Sequence, residues 1–252
     1  MSSNNRNIKL NGIIIRKVPF KETSVILDVF TNDLGIIPIM AKGIRKEKNK
    51  TANFMEIMNE MEFVLYKNPS SDWYILKSSE LIKAHLFEVE FRTGILMQAV
   101  AEICRQLIIP EEDSEMLYEL LKKYLEYITK VEVNGIAIFW RFLLKLFIIM
   151  GIEFNISECV LCKKIDGLKA YYPQKHGFIC ESCYRSALEK LVIRMTKEQS
   201  ELFRNLKQIG KMLDEITITK ESISQINKIF LIHLSEHFHK KFHLKSLEMY
   251  KV

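Results

Sequence analysis

Three groups of residues in the 252-residue chain have types and spacings that could do chemistry. The sharpest is Cys159-Val-Leu-Cys162 followed, after seventeen residues, by Cys180-Glu-Ser-Cys183; it holds four of the five cysteines. Each C-x2-C pair makes a tight knuckle that aims two sulfurs at one centre. Two knuckles complete the tetrahedral shell that zinc prefers, at Zn–S distances of about 2.3 Å. Four thiolates leave no position for a catalytic water, so the expected cofactor is one structural zinc ion on Cys159, Cys162, Cys180 and Cys183. His176 lies near the second knuckle and could replace a cysteine. The competing readings are four ordinary thiols or two disulfides, and nothing else in the sequence points to an oxidising compartment.

The second group is basic. Lys42-Gly-Ile-Arg45-Lys46-Glu-Lys48-Asn-Lys50 places five positive charges and one negative in nine residues, with a glycine that permits a tight bend. Such a run displaces counterions from phosphates and gains salt-dependent affinity for nucleic acid; the plainer reading is a solvated loop. Arg16 and Lys17 could join the same face. Phe20, Tyr66, Trp73 and Tyr74 could stack unpaired bases, although aromatics in a small β domain are more often core.

The third group is His233-Leu-Ser-Glu236-His237, the H-x-x-E-H order of the inverzincin proteases. Two histidines four apart share a helix face, yet these continue the apolar stripe from Ile226 to Phe230, and no third ligand is evident. Packing is the expected role, and a zinc hydrolase using His233, Glu236 and His237 is the least favoured reading. The phosphate loop G-x-x-x-x-G-K-[ST], the G-x-S-x-G elbow and the H-x-E with P-C-x-x-C pattern of zinc deaminases are all missing. No enzyme and no nucleotide cofactor are expected.

The elements that carry these groups follow from periodicity. Alternation and β-branched content run from residue 8 to about 83, with strands expected at 8–17, 24–31, 35–42, 61–66 and 73–81 and a hairpin turn at Asn32-Asp33-Leu34-Gly35. Five short strands in so few residues suggest a small barrel or sandwich; the oligonucleotide-binding OB-fold is one such barrel. After His85 the period becomes 3.6. Helices are expected at 91–108, at 114–128 capped by Asp113 or Ser114, and at 134–150. Beyond the cysteines, Thr196 opens a helix with a capping box that ends near Gly210, and Thr219 caps a last one that runs to about Phe242. Short strands at 168–172 and 176–179 flank a turn at Pro173 between the knuckles. Cys104 is expected to be a buried small hydrophobe. The predicted class is α+β multidomain: an OB-fold barrel at 1–83, a helical bundle at 84–155 and 194–252, and a zinc-binding module at 156–193 inserted in that bundle.

Hydrophobic residues make up 48% and charged residues 27%, as in an ordinary soluble domain. The polar start shows no signal peptide, and the longest apolar run, 136–152, contains Arg141 and Lys145, so no membrane segment and a cytoplasmic location are expected. The net charge is +6. Its distribution is uneven: the first 83 residues and those from 151 onward are basic, and the stretch between them is acidic, a balance compatible with nucleic acid.

The order barrel, bundle and inserted cysteine module resembles the RecO family of bacterial recombination-mediator (DNA repair) proteins. The residues that carry the resemblance are Gly12-Ile-Ile-Ile-Arg16, Glu22-Thr-Ser-Val-Ile-Leu27, Leu34-Gly35, Ala41-Lys-Gly-Ile-Arg45, Gly151-Ile152 before the first knuckle, Gly177-Phe178 before the second, and Leu244-Lys-Ser246-Leu247. Phe20 stands where many relatives have a tyrosine. The resemblance implies a protein without covalent chemistry that binds single- and double-stranded DNA and anneals complementary strands. With RecR it helps load RecA onto strands coated by single-stranded-DNA-binding protein, whose C-terminal tail it recognises; a nucleoid-associated place in the cytoplasm follows. It also implies that Lys42 and Arg45 lie on the family's basic turn, extended by Lys46, Lys48 and Lys50, and that the four cysteines are the zinc ligands of those members that keep them. The alternative is a zinc-containing adaptor that binds proteins only.

Overall fold

A computed structural model describes residues 7–45, 53–67, 71–86, 89–165, 167–184 and 191–250. The chain forms two compact units, residues 1–130 and 131–252.

In the first unit five strands close a barrel in the order β1-β2-β3-β5-β4, an OB-like arrangement: β1 (Asn7–Phe20), β2 (Ser24–Thr31), β3 (Gly35–Ala41), β4 (Glu60–Lys67) and β5 (Tyr74–Lys83). Neighbours are antiparallel except β3 and β5, whose parallel pairing at Ile39–Tyr74 and Met40–Ile75 closes the barrel. β1 is longer than its alternation predicts because it serves two partners. Its first half pairs with β4 and its second with β2, and an irregularity between Ile14 and Arg16 lets it bend. At Gly12 both neighbours are present at once, and a Cβ would come 2.3 Å from Val29 Cγ1. The hairpin turn at 32–35 is tied by Thr31, whose hydroxyl donates to Gly35 O (2.8 Å) and accepts from Leu34 N–H (3.0 Å).

Ile14, Leu27, Val29, Ile39, Phe63 and Leu65 fill the barrel interior. Ile13 and Ile15 are also buried, though they point to the other face of the strand. Two helices of the same unit, α1 (Phe91–Gln106) and α2 (Glu111–Ile128), account for this: α1 contacts β1, and Tyr118 of α2 meets Phe30 of β2 edge-on at 6.3 Å. Cys104 is buried within α1. α2 begins three residues earlier than expected. Pro110 precedes it in an extended conformation, and the acidic Glu111, Glu112 and Asp113 sit where the helix dipole favours them. Ser114 is no cap; its hydroxyl donates to Pro110 O (3.2 Å).

In the second unit α3 (Gly135–Ile149), α4 (Lys197–Asn205), α5 (Lys220–Phe238) and the short α6 (Lys245–Glu248) surround a sheet ordered β7-β6-β8, with β6 (Leu168–Tyr172), β7 (Gly177–Cys180) and β8 (Ile193–Arg194). Thr196 makes the expected capping box with Gln199, and Thr219 accepts from Ser222 N–H. α5 stops at Phe238 because His239 takes a left-handed conformation (φ 49°). Asn134, also left-handed, starts α3 and donates to Leu213 O and Ile216 O, each at 2.8 Å.

The side chains of β6 and β7 divide between two cores. Ala170, Tyr172, Ile179 and Cys180 face a small core with Cys159. Tyr171 and Phe178 face the other way and join Phe147, Phe154, Phe203 and Phe230 in an aromatic cluster with ring centroids 5.0 to 6.0 Å apart. β6 and β7, which also border the cysteine core, therefore share a second core with helices α3, α4 and α5.

Candidate metal centre and nucleic-acid interface

The first knuckle is built by a turn in which Lys163 is left-handed (φ 63°); its N–H donates to Cys159 O (2.9 Å), and Cys159 N–H donates to Lys164 O (2.8 Å). The second follows β7, where Cys183 and Tyr184 N–H both donate to Cys180 O (3.1 and 2.9 Å). The strand pair brings the knuckles together. All four sulfurs lie within 4.8 Å of one another, and Cys162 Sγ is 3.6 Å from Cys180 Sγ. A tetrahedron with Zn–S bonds of about 2.3 Å has edges of about 3.8 Å, so the cluster could hold such an ion. Cys159 and Cys180 are buried, Cys183 is half-buried and Cys162 is exposed.

The electrostatics fit a cation. Burial alone would raise the Cys159 thiol, but the amides of Cys162, Cys180 and Leu161 aimed at its sulfur bring it down to about 6. Cys183 is pushed up to about 12 by the neighbouring Cys162 thiol, by burial, and by Cys180 and Cys159. Four sulfurs this close cannot all ionise unaided, and a bound cation removes that conflict.

In the barrel unit, Lys42 and Arg45 are exposed on a turn that follows β3. Gly43 is left-handed (φ 67°), Ile44 is buried and anchors the turn, and Arg45 N–H donates to Thr23 O (2.9 Å). That bond ties the turn to the β1–β2 hairpin, where Phe20 pairs in register with Ser24. Phe20 lies 6.5 Å from Trp73, and Lys21 Nζ sits 5.5 Å from the Phe20 ring. One end of the barrel thus gathers Lys42, Arg45, Lys21, Phe20 and Trp73. Tyr66 and Tyr74, like Phe20 and Trp73, are half-buried and carry the cations of Lys77 (5.3 Å) and Lys67 (4.3 Å) on their faces. Arg16 and Lys17 are already paired, with Asp28 (3.3 Å) and Glu56 (2.6 Å). Among the described residues no ion pair engages Lys42 or Arg45. Lys46, Lys48 and Lys50 lie outside the described residues.

The H-x-x-E-H histidines lie on α5 as expected. His233 is fully buried, and Glu236 is exposed. Tyr171 OH is 2.7 Å from His233 Nδ1, and His233 Nε2 bonds Ile152 O. The fold adds His176, at the end of the turn between β6 and β7, to the same cluster. Sequence spacing cannot supply that neighbour; it comes from the packing of this turn on α5. A groove of about 580 Å³ runs between α5 and the α6 segment, with Ile223, Leu231 and Leu247 among its apolar walls and Lys220, Lys228 and Lys241 around it. Its walls come from two separate segments, so no compact motif announces it. No helix is long and apolar enough to cross a membrane among the described residues.

Comparison with known proteins agrees over nearly the whole chain. The family model "Recombination protein O N terminal" matches residues 1–85, and "Recombination protein O C terminal" matches residues 90–248. DNA repair protein RecO of Thermoanaerobacter sp. (strain X514) is 24% identical over 242 residues, covering 95% of this chain and 96% of the relative. That of Halalkalibacterium halodurans is 24% identical over 243 residues, covering 94% and 92%. That of Prosthecochloris aestuarii is 27% identical over 157 residues, covering 61% and 59%. With an OB-like barrel first, a helical part after it and both halves matched, the chain belongs to the RecO family of DNA repair proteins.

Proposed function

We propose that this chain is a recombination mediator that works by binding rather than by covalent chemistry. It holds single- and double-stranded DNA on the barrel, anneals complementary strands and, with RecR, helps load RecA onto strands coated by single-stranded-DNA-binding protein. The observation that carries this reading is the cluster of Lys42, Arg45, Lys21, Phe20 and Trp73 at one end of the barrel. Cations hold phosphates there while half-buried rings offer stacking faces, the combination that single-strand binders use. Lys46, Lys48 and Lys50 extend the charge in sequence. Arg16 and Lys17 are assigned to the rim, where their acidic partners must yield before phosphate can bind. A grip on phosphates leaves base edges free, so two held strands can pair. The groove between α5 and α6 suits the acidic, apolar C-terminal tail of the single-stranded-DNA-binding protein, with lysines for its carboxylates and Leu231 and Leu247 for its apolar end. One zinc ion on the four cysteines serves architecture only.

The test is binding of a fluorescent single-stranded oligonucleotide across a salt series. The native chain is compared with a variant carrying Lys42, Arg45, Lys46, Lys48 and Lys50 as Gln. Each lost phosphate contact flattens the log–log slope by about 0.7, so a change of up to about 3.5 is expected if all five cations touch phosphates. Unchanged slope and affinity would move the DNA site to another face. No binding by either protein would favour an adaptor that binds proteins only.

A further inference from the structure

Three of the chain's six histidines converge at one place, remote in sequence from one another and separate from the four cysteines. His233 and His237 come from adjacent turns of α5, and His176 from the turn between β6 and β7. Ring centroids are 4.1 Å apart for His176 and His237, 4.5 Å for His233 and His237, and 5.9 Å for His176 and His233. One donor nitrogen from each lies within 4.8 Å of the other two. His176 Nδ1 and His237 Nε2 are buried without a hydrogen-bond partner. Two unpaired imidazole nitrogens side by side in a protein interior are costly unless something is meant to sit between them.

The third imidazole is already oriented. Because Nε2 of His233 donates to Ile152 O, its lone pair is on Nδ1. Histidines that bind metals are commonly fixed in this way, by a backbone carbonyl on the second ring nitrogen. The Tyr171 hydroxyl now donates to that lone pair. His176 sits in the left-handed region (φ 49°), where an asparagine would be equally at ease but would offer no imidazole.

We infer that His176, His233 and His237 form a second metal site, for a divalent first-row transition ion that favours nitrogen donors, and that the ion pins the β6–β7 turn to α5. Three imidazoles without a thiolate or a carboxylate ligand suit zinc, copper and nickel. Burial supports the donor state: it lowers the proton affinity of His237 and brings His233 down to about 3, so both are neutral and ready to coordinate at neutral pH. Glu236 lies near enough to Tyr171 and His237 to raise the proton affinity of both, and it places a negative charge beside the bound cation.

Nickel(II) titrated into the full chain, with zinc already on the cysteines, tests this by calorimetry and by metal content. The expected result is one nickel per chain beyond the zinc. His176→Asn and His237→Gln should each abolish that equivalent while zinc stays at one per chain. No uptake by the native chain, or equal uptake by both variants, overturns the site. Tyr171→Phe keeps all three imidazoles and removes only the phenol that competes for His233 Nδ1. It should tighten nickel binding; unchanged or weaker binding would remove His233 from the ligand set.

Discussion

Cys162 is the exposed corner of the sulfur cluster, and its replacement tests the proposed structural zinc. Cys162→Ser should lower soluble yield and thermal stability while leaving the DNA affinity of the surviving folded protein near that of the native chain. Equal stability with zinc gone would show that the ion is not structural. His85 carries a pH prediction. It is buried with both ring nitrogens unpartnered, and burial first, then Lys83 and Lys122, lower its proton affinity against the opposing pull of Glu60 and Glu126. The unfolded chain takes up a proton near pH 6.5 and the folded one resists it, so stability is present above that pH and lost as pH falls through and below it. The loss is at most about 1.4 kcal/mol per pH unit. Urea unfolding at pH 7.5 and 5.5 should show a larger drop for the native chain than for His85→Leu. At this scale the sequence was most legible where spacing alone defines geometry, as with the four cysteines. It was least legible where neighbours come from packing, as with His176 beside His237 or Trp73 beside Phe20.

Between elements, the buried carboxylate of Glu60 joins β4 to α2. It accepts from Tyr118 OH and Lys122 Nζ, each at 3.0 Å. Glu60→Ala leaves a buried hydroxyl unpaired and a cation without its partner, and should cost about 2–3 kcal/mol in urea unfolding; Tyr118→Phe should cost about 1 kcal/mol. Gly12→Ala forces a methyl to within 2.3 Å of Val29 Cγ1, in a strand with partners on both sides. Overpacking there should cost about 1–3 kcal/mol, read from the same measurement. The long strands and helices were visible as alternation, helical periodicity or apolar runs, and some of them, such as β1 and α3, bury more than one face. The ends were less visible. α2 starts at a proline rather than at the serine cap, and α5 ends at a histidine in a conformation that glycine would have advertised. The two-residue β8 carries no period at all and exists because β6 offers it an edge.

For the molecule as a whole, charge is the quantity that composition reveals. A chain that anneals strands through phosphate contacts should accelerate pairing of complementary oligonucleotides at low salt. That acceleration should fall with added salt about as steeply as single-strand binding does. A stopped-flow annealing assay checks this, and acceleration independent of salt would remove the phosphate mechanism. The order of barrel, helices and cysteine module was readable from the sequence. The sharing of one aromatic core between the cysteine strands and the helices was not, since alternation in strands of four or five residues does not say what each face will meet.

If the four cysteines hold the proposed zinc, that shared core would make free zinc a thermodynamic variable of the helices. Tyr171 and Ala170 are adjacent on one strand, and each is held by a different core. An ion bound by the cysteines therefore stabilises α3, α4 and α5 by mass action, by about 1.4 kcal/mol for each tenfold rise in free zinc above the dissociation constant. The melting temperature of the helical unit should then climb with the logarithm of zinc activity, as though the metal were a buffered component of the fold.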